Sequence, residues 1–161
     1  MTYYSNQRPG NVALVNTGDI PMTEQTIASP IICSRVEVAQ RMDILPRYAG
    51  ERMMILERLI FDSMRQYCVE YTGGYWEMWE LSNGGFYMAP SGEPKTYAIA
   101  GPYNYYSGVM SADAAGIVAC LIAFNRLACS TVEDRFINLF HNLRAWAKEH
   151  PEADEILSAI D

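Results

Sequence analysis

The stretch YWEMWELSNGGFYMAP, residues 75–90, decides the fold, because two runs rich in aromatic residues flank a short polar turn. Asn83-Gly84 between apolar runs is the strongest short signal for a β-hairpin. In a type I′ turn both central residues adopt positive φ, which asparagine tolerates and glycine adopts freely. The sequence therefore predicts a hairpin whose two-residue turn is Asn83-Gly84, with Gly85 as the next residue of the same structural motif.

The register of this hairpin assigns its residues to two faces, because successive residues of a strand point to opposite sides of a sheet. A two-residue turn places Leu81 opposite Phe86 and Glu80 opposite Tyr87. We expect the outer face to be solvated, covered by a loop, or offered to a partner. The predicted core face carries Trp79, Leu81, Phe86 and Met88, and the predicted outer face carries Trp76, Met78, Glu80 and Tyr87.

A helix precedes the hairpin. Between residues 51 and 71, apolar residues recur at steps of three and four with charged residues between them, and Gly73-Gly74 follows as a stop. This spacing predicts an amphipathic helix with one face on the core. Residues 35–50 are predicted to form at most two short turns, because the residue before Pro46 resists helical geometry.

Further helices follow the strands. Ser111 is predicted to be the N-cap of an almost wholly apolar helix, with the carboxylate of Asp113 near the positive end of the helix dipole. Ser130 and Glu133 have the spacing of a capping box, and Pro151 suits the first turn of a last helix. The sequence thus predicts a single α+β domain, with a small antiparallel sheet of the hairpin plus one or two strands, covered by about four helices.

Length and composition suit one globular domain. The chain has 161 residues and half of them are apolar, which is enough for a substantial core. Residues 1–30 are polar with scattered apolar residues, which is typical of a poorly structured leader or a strap on the surface. We therefore expect an extra segment over residues 1–30 and the folded domain over residues 31–161.

The charge, the cysteines and the hydropathy exclude several classes. A net charge of −7 disfavours direct binding to nucleic acid, yet is too dilute for a DNA mimic. The four cysteines have no C-x-x-C spacing and do not pair with either histidine, so no metal site and no cofactor are expected. The longest apolar run, residues 114–124, is about half a membrane span and predicts a buried helix. No secretory signal opens the sequence, so a cytoplasmic location is expected.

The sequence offers no convincing catalytic residues. Glu77 and Glu80 are three apart on a strand and therefore point to opposite faces, which argues against a paired-carboxylate site. His141 has no nucleophile placed beside it by any motif, and His150 is most simply a capping or loop residue before a helix. Asp113 lacks a second carboxylate within a helical turn, so a dipole-stabilising role is favoured over metal ligation.

Two surface features remain as candidates for protein contacts. Tyrosines cluster in the segment 97–106, and rings with a polar tip are frequent at interfaces, although a loop packing its own tyrosines is the simpler interpretation. Residues 149–161 contain five acidic residues and no lysine or arginine. This run is typical of a solvated helix face, and the more specific alternative is that it forms a docking surface for a basic partner.

Two motifs connect the sequence to a known family. LSNGGFYMAP at 81–90 and MSADAAGI at 110–117 resemble the small antirestriction proteins of plasmids and other mobile elements, the ArdB/KlcA type. The resemblance runs from about Val36 to the C-terminus. It implies a protein that relieves type I restriction of incoming DNA without extensive DNA mimicry. The protein would act on the restriction complex or on an associated host factor.

Two other function classes stay open at this point. One is a small enzyme of unknown substrate that uses a cleft near the outer hairpin face and Asp113, and the other is a homo-oligomeric interaction module. Under the antirestriction interpretation, partner contacts are expected on exposed polar and aromatic residues without a role in the core. These predicted contact residues are Glu80, Tyr87, Tyr103, Tyr105, Glu152, Asp154, Glu155 and Asp161.

Overall fold

Residues 29–161 are described by a computed structural model, in which strands and helices follow one another in the order that the sequence predicts for an α+β domain. Residues 1–28, which make up most of the predicted leader, lie outside the described residues. The α+β fold class is confirmed. The strands are β1 (Cys33–Arg35), β2 (Trp76–Leu81), β3 (Phe86–Pro90), β4 (Thr96–Ala100) and β5 (Ser107–Ser111). The helices are α1 (Arg41–Ala49), α2 (Met53–Tyr67), α3 (Ala112–Thr131), α4 (Asp134–Glu149) and α5 (Ala153–Ile160).

The strands form two small antiparallel sheets. β2 and β3 make the predicted hairpin, and β1 adds a third strand on the free side of β2. Over residues 29–161, β4 and β5 pair only with each other. The sequence predicts the hairpin plus one or two further strands, but a strand at β1 was not expected, because its three residues are too short to show an alternating pattern.

The hairpin turn contains three residues, so the predicted two-residue turn is wrong. The Leu81 N–H donates to the Gly85 carbonyl at 2.9 Å, and the Gly84 N–H donates back to the Leu81 carbonyl at 3.0 Å. Gly84 has a φ of 87°, whereas Asn83 does not have a positive φ. The Asn83 side chain instead accepts from the Gly85 N–H and donates to the carbonyl of Asn142 in α4. This is a type I turn followed by a left-handed glycine, the usual three-residue hairpin loop.

The longer turn shifts the register by one residue and changes the predicted faces. Glu80 lies opposite Phe86 and Trp79 lies opposite Tyr87, rather than Leu81 opposite Phe86 and Glu80 opposite Tyr87. Because a one-residue shift moves every side chain of one strand to the other face, Trp79 does not share a face with Met88. The Trp79 ring is partly buried and stacks on Tyr87 with 6.3 Å between ring centroids.

Strand β3 is buried along its whole length, because α3 covers its free edge. The Cys120 thiol of α3 accepts a hydrogen bond from the Met88 N–H at 3.3 Å and donates to the Met88 carbonyl at 3.5 Å. Gly116, one turn earlier, brings the helix backbone against Ala89. An uncovered edge strand offers unpaired backbone groups to other chains, so this contact closes one edge of the sheet.

Helix α3 is the buried helix that the apolar run predicts. By length and composition alone its 20 residues would suffice to cross a membrane. Most of its apolar stretch is buried inside the fold, against α2, α4 and β3. Ser111 is its N-cap, as predicted, because the Ser111 hydroxyl accepts a hydrogen bond from the Ala114 N–H at 3.1 Å.

Several predictions about the helices are wrong, and among them α2 ends at Tyr67, before the predicted stop at Gly73-Gly74. α1 is one helix that contains Pro46, and the carbonyl left without a donor belongs to Met42, which is 85% exposed and open to solvent. α3 continues through Ser130, so the predicted capping box does not form, and Glu133 instead pairs with two arginines from its place before α4. α5 begins two residues after Pro151.

The turn geometry gives a stability prediction at Gly84. Valine at this position would have to hold a φ near 87°, which β-branched residues resist, so Gly84→Val should lower the free energy of unfolding by about 1 kcal/mol or more. Asparagine tolerates the left-handed region, so Gly84→Asn is the matched control and should cost clearly less. Urea unfolding of both variants measures the difference, and equal losses would contradict the prediction.

Candidate functional site

A network of polar side chains lies where α3 begins. Asp113, in the first turn of α3, accepts a hydrogen bond from the Tyr87 hydroxyl at 2.9 Å. Its other carboxylate oxygen lies 3.0 Å from Nε2 of His150, the residue that follows α4. The Nδ1 atom of His150 accepts from the Glu152 N–H at 3.0 Å, which makes Nε2 the donor to Asp113 in the neutral imidazole. Both ring nitrogens are therefore occupied.

The network continues to the N-cap of α3. The Glu152 carboxylate accepts hydrogen bonds from the Ser111 N–H, at 2.8 Å, and from the Ser111 hydroxyl. Since Ser111 also caps α3, one chain of hydrogen bonds ties the start of α5 to the start of α3. Glu152 was predicted as part of an exposed acidic patch, but its carboxylate is used within the fold. We call Tyr87, Ser111, Asp113, His150 and Glu152 the polar network.

Tyr87 is 2% exposed, so the prediction that it lies on an exposed contact face is wrong. The shifted register places it under the Trp79 ring, and its hydroxyl points to Asp113 and lies 3.7 Å from the Cys33 thiol. Burial, and then the negative charge of Asp113, raise the pKa of Tyr87 well above its usual range. The phenol therefore stays protonated and acts as a donor inside the protein.

Glu80 is also engaged within the fold. Its carboxylate accepts from Arg47 and from the Tyr48 hydroxyl, both at 2.8 Å and both in α1. Burial, and then the hydrogen bond to Glu80, raise the pKa of Tyr48 to about 12. Glu80 was predicted to be exposed or paired with Tyr87. The shifted register instead puts it on the same side as Phe86, where the Tyr48 ring stacks at 4.4 Å between centroids.

The polar network has the residue types of a catalytic site but not an open arrangement. His150 has an 8% exposed side chain and two hydrogen-bond partners. Burial is the main influence that raises the pKa of the Cys33 thiol, so it is a weak nucleophile at neutral pH. These side chains are hydrogen-bonded to one another, which favours a structural role in joining β1, β3, α3 and α5.

The tyrosine-rich loop between β4 and β5 is held rigidly and displays its rings. The Asn104 side chain donates to the carbonyls of Ser158 and Ala159 near the end of α5, and accepts from the Tyr106 N–H. Tyr105, between these anchors, is 99% exposed and has a φ of 59°. A non-glycine residue seldom holds a positive φ, so the loop presents the ring in a backbone conformation fixed by its neighbours.

The tyrosine loop and the acidic helix form one continuous surface. Tyr103 is 76% exposed, and its hydroxyl accepts from the Gln66 side chain. The bonds from Asn104 to the end of α5 place this helix beside the loop, where burial, and then the carboxylates of Glu155 and Glu152, raise the pKa of Tyr106. The exposed residues of this surface, which we call the tyrosine-acid surface, are Tyr103, Tyr105, Asp154, Glu155 and Asp161.

Sequence reasoning missed the gathering of Cys33, Tyr87, Asp113 and His150. The hydrogen bonds of this group join residues 26, 37 and 54 positions apart. No short motif contains them, and only the observed register brings them together. The one local sign is His150 before Pro151, which the sequence identifies as a boundary residue, and it does cap the turn by accepting from Glu152. Among residues 29–161, no group of three or more His, Cys, Asp or Glu side chains is arranged to hold a metal.

The fold with this arrangement is that of a known class of small protein. A solved structure of the KlcA and ArdB type superposes with a TM-score of 0.76 at 44% identity, and covers 83% of this chain and 96% of that one. The KlcA and ArdB proteins are described as having a novel fold and antirestriction activity against type I DNA restriction systems in vivo but not in vitro. The match defines the class as antirestriction-type α+β proteins.

The sequence comparisons agree with the structural match. A model of the antirestriction protein family matches residues 69–161. The antirestriction protein KlcA of Escherichia coli is 44% identical over 147 residues, 87% of this chain and all of that protein. The uncharacterized protein YafX of Escherichia coli K12 is 41% identical over 125 residues, 76% of this chain and 82% of that protein. The chain belongs to the antirestriction protein family, and the predicted resemblance is confirmed.

Proposed function

We propose that this protein relieves type I restriction inside the cell, so that unmodified incoming DNA survives. Membership of the antirestriction family supports the proposal. The similar KlcA and ArdB proteins are described as active against type I systems in vivo but not in vitro. Activity that is lost outside the cell favours action through a further cellular component, so we place the target at the restriction complex together with an associated host factor.

Contact with protein rather than imitation of DNA is the mechanism that the charge distribution supports. A DNA mimic needs rows of unpaired acidic groups at about the spacing of phosphates. Many carboxylates of the described residues are neutralised by neighbouring arginines instead. These ion pairs are Arg35–Glu77, Arg47–Glu80, Arg52–Glu133 and Arg58–Asp62. Exposed acids without an ion pair include Asp154 and Glu155 of α5, beside the tyrosine loop, whereas Asp161 lies 3.9 Å from Arg144.

The observation that carries the proposed contact is Tyr105. Its ring is 99% exposed and its backbone is held at a φ of 59° by the anchored loop. Hydrophobic collapse cannot explain a large aromatic ring in this position, and rigid exposed tyrosines are effective anchors in protein interfaces. We therefore place the contact on the tyrosine-acid surface, with Tyr103 and Tyr105 as anchors and the acidic residues facing a basic partner. Glu80 and Tyr87 have roles inside the fold and leave the proposed contact set.

The variant Tyr105→Asn tests this contact. Asparagine tolerates positive φ, so the change removes the ring without adding backbone strain, and stability should stay within about 0.5 kcal/mol. The measurement is the plating efficiency of unmodified phage on cells with a type I system. We expect protection to fall to the level of cells that lack the protein.

Tyr75→Asn is the matched control, because Tyr75 is a 55% exposed tyrosine outside the tyrosine-acid surface. It should keep full protection. Full protection by a folded Tyr105→Asn protein would contradict the proposed contact, while absence of protection by the unmodified protein would contradict the proposed function itself. If charge-neutral variants on any face reduce protection in proportion to the charge removed, DNA mimicry becomes the better account.

A further inference from the structure

A groove with two lobes runs beside α3, apart from the polar network. The first lobe, of about 200 Å³, is lined by Tyr67, Tyr103, Arg126 and Ile160 among others. The second lobe, of about 340 Å³, is lined by side chains of α3 and α4. They include Ala128, Ile137 and His141. Asn125 and Phe140 line both lobes, so the two are adjacent parts of one groove. We call it the α3 groove.

The α3 groove differs in charge from the rest of the surface. Among residues 29–161, no carboxylate lines either lobe, although the whole chain carries 19 acidic residues and a net charge of −7. A depression along α2 shows the contrast, because Glu57, Arg58, Asp62 and Arg65 all line it and its arginines pair with Asp62. The α3 groove therefore keeps a net positive charge in an acidic protein.

Arg126 supplies the positive charge of the α3 groove and still has N–H donors available for a ligand. Its guanidinium donates to the side-chain oxygen of Gln66, and within the described part of the chain it forms no ion pair. A guanidinium has five N–H donors and forms its strongest contacts with carboxylates, often through two parallel hydrogen bonds. Gln66 also donates to the Tyr103 hydroxyl, which holds the rim of the lobe in place.

We propose that the α3 groove binds a short acidic and apolar segment of a partner protein. A carboxylate enters the first lobe and bonds to Arg126, and the apolar side chain of the adjacent residue fills the second lobe against Phe140 and Ile137. The charge complementarity between an acid-free, arginine-containing groove and a carboxylate selects this occupant. The first lobe shares Tyr103 with the tyrosine-acid surface, but its charge is opposite to that of the exposed acids of α5, and the test below does not depend on the proposed antirestriction contact.

Acetylated dipeptide amides test the site on the full-length protein. The probes are N-acetyl-Glu-Leu-amide, its neutral counterpart N-acetyl-Gln-Leu-amide, and N-acetyl-Glu-Ser-amide, which lacks the apolar side chain. Amide chemical shifts from ¹⁵N-labelled protein should change saturably at Asn125 and Phe140 with the first probe. Each of the other two probes should bind about tenfold more weakly, because each loses one of the two contacts.

Two variants separate the groove from general charge effects. Arg126→Gln should weaken the first probe to the level of the glutamine probe, and Arg126→Lys should restore part of the affinity. Arg58→Gln removes one exposed arginine outside the groove and should leave binding unchanged. Absence of saturable shifts at about 10 mM probe, where even a millimolar Kd is detected, would overturn the proposal. So would equal affinity for the glutamate and glutamine probes, or tighter binding of a short oligothymidylate at the same amides.

Discussion

Gly116→Ala should destabilise the protein by about 2 to 3 kcal/mol, although alanine is the better helix former by about 1 kcal/mol. A Cβ atom at position 116 would lie 2.5 Å from the Ala89 Cα and from the Met88 carbonyl oxygen. Both are backbone atoms of β3, so relief requires α3 to move away from the strand. That movement would also separate Cys120 from the Met88 edge groups, which would then be buried without partners.

Urea unfolding of Gly116→Ala, Ala89→Gly and the double variant measures this effect and its origin. Removing the Ala89 methyl relieves only the side-chain contact, at 2.6 Å, and leaves the two backbone contacts. We therefore expect little rescue in the double variant, with a coupling free energy below about 0.5 kcal/mol. A stable Gly116→Ala protein, or full rescue by Ala89→Gly, would show that helix and strand do not meet through their backbones.

Helices α2 and α3 could be predicted because their signals are local. The three- and four-residue spacing before Gly73 and the N-cap at Ser111 both depend on neighbours within one helical turn. The hairpin itself was also predictable from its turn. Its register was not, because the Asn83 side chain bonds to Asn142 in α4, 59 residues away, and this contact accompanies the longer turn.

The candidate site likewise has one part that the local sequence predicts and one part that depends on long-range contacts. Exposure of Tyr103 and Tyr105 follows from a surplus of tyrosines in one loop, which composition reveals. The burial of Tyr87 follows from the register and from the position of α3, neither of which is visible in the sequence around it. One residue of register thus decides whether Tyr87 belongs to a contact surface or to the polar network.

Tyr87→Phe should lower the free energy of unfolding by about 2 kcal/mol at neutral pH, and this loss should shrink above pH 10. The neutral-pH loss reflects a buried hydrogen bond to a charged acceptor, Asp113. The pH dependence follows from the raised pKa of Tyr87 in the folded protein, whose ordinary value is 10.0. Above pH 10 the unfolded chain releases the phenol proton while the folded chain retains it. Stability from this group is therefore complete below pH 10 and declines as the pH rises, by about 1.4 kcal/mol per pH unit.

The measurement is the free energy of unfolding in urea for the unmodified protein and for Tyr87→Phe, from pH 7 to about pH 11. Both proteins should lose stability on the alkaline side, because Tyr48, Cys33 and Cys120 also have raised pKa values in the fold. Above pH 10 the unmodified protein should lose it faster, so the two curves approach each other as the Tyr87 hydroxyl stops contributing. A constant gap between the curves would mean that folding does not raise the pKa of Tyr87. Its hydroxyl would then be open to solvent, and the contact role predicted from the sequence would return as the better interpretation.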